Sequence, residues 1–310
     1  MNTVLAGRRS HAVRSALVAI CAIGLLAAAS SSALAKANNH KSKTPTINTR
    51  TPVTSGSTYL ALGDSVPFGY EESSVVPAPN YADASSFLGY PELLGSELHL
   101  KIVNAACPGE TSSSLIDPTA QSHSCENTLG KGNVGYRTMF PLHVSYPGSQ
   151  LGFAISYLKK HHDVRLVSLM VGGDDLFLCQ ETTADHCASL PEQAGVLGTI
   201  VKNDKTILSA IRNQAHYGGQ VALVNYYSIS ASLTALTALG NQTIATALKP
   251  FHVVVADAFG EFAAAAAHSG GDPCTAGLLT QLSGGGCGVH PSYAGQSLLA
   301  QAVEKAIRLG

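Results

Sequence analysis

Short apolar, β-branched runs alternate with stretches whose apolar residues recur at helical spacing. Residues 58–62, 101–105, 164–171, 220–226 and 252–256 read as five strands. Between the third and fourth, residues 191–214 place Val196, Ile200, Val201, Ile207, Leu208 and Ile211 on one helical face. Residues 150–160 and 292–307 read as two further amphipathic helices, and the alanine run 263–267 as a closely packed one. Strand and helix in alternation imply a parallel sheet covered on both faces. No repeat or linker interrupts residues 58–310, so one α/β domain is expected there. Such sheets bind ligands at the carboxyl ends of their strands, which is where chemistry should lie.

The first 57 residues follow a different pattern. Arg8, Arg9 and Arg14 precede an apolar run over residues 16–29, and small residues follow, ending in Ala33-Leu34-Ala35. That order reads as an export signal over residues 1–35, with an uncleaved anchor as the alternative. The run is short for a membrane span. Residues 36–57, rich in Lys, Asn, Thr, Ser and Pro, read as a solvated tether.

Charge and cysteine content sharpen the picture. Residues 1–57 hold seven basic side chains and no acid, which leaves residues 58–310 with a net charge of −8. A body this acidic argues against a nucleic-acid partner. Beyond the signal lie six cysteines, and in an exported chain an even count suggests disulfides, with fifteen pairings open. Sequence proximity favours three local clasps, Cys107–Cys125, Cys179–Cys187 and Cys274–Cys287. No C-x-x-C or H-E-x-x-H supports a zinc site.

Four strand-end or loop segments carry candidate chemistry. Gly63-Asp64-Ser65 follows the first strand, where a serine on a glycine-flanked turn can be an exposed nucleophile or a simple helix cap. Gly109, after the second strand, can offer a backbone N–H or merely turn the chain. Gly172-Gly173-Asp174-Asp175 follows the third. His290-Pro291 follows a glycine-rich loop and precedes the last helix. The G-x-G-x-x-G match at residues 130–135 does not follow a strand and reads as a loop. The chain has no G-x-S-x-G.

Together these segments resemble, in order and spacing, the SGNH hydrolases, also called GDSL esterases and lipases. The match spans essentially all of residues 58–310 and is similar in particular to a secreted actinobacterial branch with three sequential disulfides. The resemblance implies a flavodoxin-like three-layer sandwich with a central five-stranded parallel sheet. It implies hydrolysis of a small-molecule or lipid ester through an acyl-serine intermediate, without metal or cofactor. Ser65 would be the nucleophile and His290 its base. The oxyanion would be held by backbone N–H groups of Ser65 and Gly109 and by position 174.

Two departures stand out. Many relatives carry an Asp three residues before the histidine; here that position is Cys287, so its carbonyl is expected to orient the imidazole, making a Ser-His dyad. Asp174 stands where the family has Asn, and an ionised carboxylate only accepts hydrogen bonds. Activity survives if Asp174 stays protonated or if its side chain turns away. The expected protein is a secreted, monomeric ester hydrolase with no transmembrane segment after processing. The competing readings are a catalytically weak envelope protein that binds acyl or glycan ligands, and a carbohydrate acetylesterase.

Overall fold

The computed structural model describes residues 51–130 and 132–310; the segment read as an export signal and most of the segment read as a tether lie outside them. Five strands, β1 (Thr58–Gly63), β2 (Lys101–Asn104), β3 (Val164–Met170), β4 (Gln220–Val224) and β5 (Val254–Ala256), form one parallel sheet in the order β2-β1-β3-β4-β5. Every strand lies within a residue or two of its predicted position. The helices are α1 (Ser65–Phe68), α2 (Tyr90–Glu97), α3 (Ser112–Ile116), α4 (Tyr136–Met139), α5 (Gln150–Lys160), α6 (Gly173–Thr182), α7 (Leu190–Ser209), α8 (Thr234–Leu248), α9 (Ala258–Ala266) and α10 (Tyr293–Ala306).

The strands are unbroken apolar runs because both faces of the sheet are covered. Tyr59, Ala61, Leu166, Met170, Ala222 and Val224 point to one face and pack with Leu94 of α2, Phe262 of α9 and Leu299 and Val303 of α10. Their neighbours Leu60, Leu62, Val167, Leu169, Val221 and Leu223 face the other side and pack with Leu151 and Leu158 of α5, Ile207 of α7 and Leu248 of α8. The helix predicted over residues 191–214 is α7 followed by a π-helical turn, Ala210–Gln214.

Two features depart from the sequence reading. A two-stranded antiparallel hairpin, β6 (Leu279–Gln281) and β7 (Cys287–Pro291), stands apart from the main sheet. His290 and Pro291 therefore sit on a strand, and Ser292 caps α10. Residues 51–57, read as the end of the tether, pack against the domain: Val53 is buried and bridges to Leu309, and the Gln220 amide donates to the Thr51 carbonyl. No helix among the described residues is long and apolar enough to cross a membrane.

Candidate active site

The carboxyl end of β1 turns directly into α1, and Ser65 is the first residue of that helix. Asp64 caps it by accepting from the Val66 N–H at 3.0 Å. Its other carboxylate oxygen accepts from the Tyr226 hydroxyl, which in turn accepts from the Gly173 N–H at 2.9 Å. The ends of β1, β3 and β4 are thereby joined beneath the serine. Burial first, then the charge of Asp174, pushes the Asp64 carboxyl well above the usual range.

His290 reaches Ser65 from β7, with Nε2 2.9 Å from Oγ. Its Nδ1 lies 2.8 Å from Oε1 of Glu72, in the segment after α1. This corrects the expectation for Cys287: the acceptor facing the imidazole is a carboxylate from residue 72, not the Cys287 carbonyl. The arrangement is thus three-membered, Ser65-His290-Glu72, rather than a dyad. Glu72 is itself fixed by the Val289 N–H at 2.9 Å, the His290 N–H at 3.4 Å and the Thr280 hydroxyl at 2.6 Å. Burial raises the Glu72 carboxyl, but the His290 hydrogen bond and charge outweigh it and hold it down at about 2. Gly288 is required for this approach, since a Cβ there would stand 2.0 Å from Glu72 Oε1. The Tyr70 ring packs edge-on against the imidazole, 4.9 Å between centroids.

Gly109 adopts a left-handed φ of 81°, and a Cβ would fall 1.9 Å from the Ser124 hydroxyl. Its carbonyl accepts from the N–H groups of His123 and Ser124 at 2.9 and 3.1 Å. The N–H groups of Ser65 and Gly109 have no acceptor among the described residues. Ser65, Gly109, Asp174 and His290 line one cleft of about 410 Å³, within the ~300–1,000 Å³ typical of small-molecule sites. Tyr70, Tyr81, Tyr136, Met139, Phe140 and Phe177 make the rest of it largely apolar.

Asp174, at the start of α6, is buried and engaged: its Oδ1 lies 2.7 Å from Nδ1 of His123. The other imidazole nitrogen lies 3.1 Å from Glu181 Oε1, and the ring stacks on Phe177. The hydrogen bond to Asp174 outweighs the effect of burial, and Glu181 adds to it, so His123 is pushed up to about 9 and is cationic at neutral pH. Neither Glu72 nor His123 was singled out from sequence. The adjacent acids Glu71-Glu72, six and seven residues past Ser65 in a chain of few charges, are the available signal for the first.

The disulfides are Cys107–Cys125, Cys179–Cys187 and Cys274–Cys287, as expected from spacing. The first closes the loop bearing Gly109 and His123, and the last ties the start of β7 to the segment before β6. Among the described residues, one group of potential metal donors clusters, Cys107, Glu110 and Cys125, and both of its sulfurs are in that disulfide.

No family model and no curated protein sequence matches the chain. Solved structures do. Phospholipase A1 from Streptomyces albidoflavus is similar at 19% identity over 81% of this chain and 100% of its own, with a TM-score of 0.53. A GDSL-like lipase from Parabacteroides merdae matches at 15% identity over 84% of this chain and 98% of its own, TM-score 0.50. A lipase from a goat rumen metagenome matches at 16% identity over 80% and 96%, TM-score 0.50. Sheet order, helix placement and these likenesses agree: the chain has the fold of the SGNH, or GDSL, hydrolases.

Proposed function

We propose that the protein is a secreted serine ester hydrolase that works through Ser65, His290 and Glu72. The observation that carries this reading is the unbroken contact from Ser65 Oγ to His290 Nε2 and from His290 Nδ1 to Glu72 Oε1. His290 takes the Ser65 proton as Oγ attacks the ester carbonyl. Glu72 fixes the ring and stabilises the imidazolium that forms. Negative charge gathers on the carbonyl oxygen, for which the unpartnered N–H groups of Ser65 and Gly109 are the available donors. The tetrahedral intermediate collapses, the imidazolium protonates the departing alcohol, and an acyl-Ser65 ester remains. Water, deprotonated by His290, then releases the acid and restores Ser65.

The aromatic lining of the cleft supports an ester with an apolar acyl group over a highly hydroxylated one. Three disulfides support an oxidising destination. Hydrolysis of p-nitrophenyl esters from acetate to palmitate tests the assignment. Turnover is expected for wild type and absent in Ser65→Ala; equal turnover in that variant contradicts it.

A further inference from the structure

Asp174 poses a problem for ester hydrolysis. It lines the cleft with Ser65 and Gly109, and a free carboxylate there would face the charge that develops on the substrate oxygen. Three other acidic groups feel its charge: Asp64 just after β1, Asp175 next in α6 and the Tyr226 hydroxyl after β4. Asp175 is taken up elsewhere, accepting from the Ser112 N–H at 2.7 Å and the Ser112 hydroxyl at 2.6 Å. Asp64 is taken up by Val66 and Tyr226. Among the described residues, the one cationic group in contact with Asp174 is His123, whose side chain is about one-quarter exposed and whose backbone N–H is tied to the Gly109 carbonyl. The groups facing His123 are Asp174 and Glu181, both from α6, and the Phe177 ring.

We infer that His123 is a positioning residue for hydrolysis: its imidazolium clamps the Asp174 carboxylate at 2.7 Å and cancels its charge beside the oxyanion donors. The inference rests on the reading of Ser65 as an acyl nucleophile. With both ring nitrogens held by carboxylates, His123 is unsuited to act as a base. It is placed to make an acid tolerable at a cleft position where negative charge is harmful. Because the same residue hydrogen-bonds the Gly109 carbonyl through its backbone, the clamp and one oxyanion donor belong to one loop.

The test is a double-mutant cycle on kcat for a short-chain p-nitrophenyl ester, with His123→Gln as a folded companion to His123→Ala. Gln keeps hydrogen bonding but carries no charge. Each single His123 variant should lower kcat about ten-fold or more, with KM little moved. In the Asp174→Asn background, where no carboxylate needs cancelling, the same substitutions should cost at least several-fold less. Wild-type kcat/KM should also fall as pH rises through about 9, where the imidazolium loses its proton, and Asp174→Asn should lack that limb. Equal losses in both backgrounds, an inactive Asp174→Asn or an identical alkaline limb would overturn the clamp. Fluorophosphonate labelling of Ser65 separates the two levels. Labelling in wild type with no coupling removes the clamp alone; no labelling in wild type removes the hydrolase reading and the clamp with it.

Discussion

Two imidazoles line the same cleft and make the same first contact, yet their second contacts differ in kind. His290 on the β6–β7 hairpin holds a carboxylate 2.8 Å from Nδ1, and His123 on the Cys107–Cys125 loop holds one 2.7 Å from Nδ1. The second nitrogen separates them. That of His290 faces the Ser65 hydroxyl, a group that can give up a proton. That of His123 faces a second carboxylate, Glu181, so both of its ring nitrogens are held by acceptors and neither faces a group with a proton to give. A carboxylate on one side of an imidazole therefore does not identify a catalytic base; the partner on the other side decides.

The largest expected effect breaks the symmetry outright. His290→Ala should lower kcat/KM on the order of 10⁴-fold, a loss of the kind seen when one member of a catalytic unit is removed. His123 variants should cost far less, and a comparable loss at both positions would erase the distinction. Next comes the carboxylate behind His290. Glu72→Ala should cost about 10²- to 10⁴-fold in kcat, with KM little changed. Gly288→Ala should move in the same direction, because its methyl would displace the Glu72 carboxylate. On the other side, Glu181→Gln should change kcat less than about two-fold, since that carboxylate is half exposed and Asp174 still holds the ring.

Each imidazole also depends on its own disulfide. Replacing Cys274 and Cys287 by Ser opens a clasp of 13 residues' separation, and Cys107 with Cys125 one of 18. Each should cost about 3 kcal/mol in the chain-entropy picture, read as a lower denaturation midpoint. The first should also lower kcat, because the freed hairpin carries both His290 and the Glu72 contacts at Val289 and Thr280.

The smallest effects concern pH and stability, and the two pairs have opposite signs. Glu72 is held down at about 2, so its contribution is present above the ordinary carboxylate range and is lost as pH falls toward 2. His123 is pushed up to about 9, so its contribution is complete below the ordinary imidazole range and is lost as pH rises through 9. Glu72→Gln should flatten the acid side of the stability profile and His123→Gln the alkaline side, both measurable by thermal unfolding.

What the sequence made legible follows the same division. Buried parallel strands are continuous apolar runs, so β1 to β4 and the residues just past them, Ser65, Gly109 and Asp174, could be found by local pattern. His290 stood out through the glycine loop before it. Glu72 did not, because its partner lies 218 residues away and nothing local marks the pairing. The hairpin that brings them together was hidden for a related reason: β6 has three residues, and Gly284 to Gly286 between the strands read as loop. His123 looked like one polar residue among Ser122 and Ser124. Its role depends on Asp174 and Glu181 arriving from α6, which spacing along the chain does not encode.

The most direct test of the Ser65-His290-Glu72 assignment is the rate and site of fluorophosphonate labelling, read by peptide mass spectrometry in wild type, His290→Ala and Glu72→Ala. One adduct at Ser65 is expected in wild type, with none in His290→Ala over the same time and labelling about 10²-fold slower in Glu72→Ala. An adduct at another residue, or labelling of Glu72→Ala at the wild-type rate, would contradict the assignment.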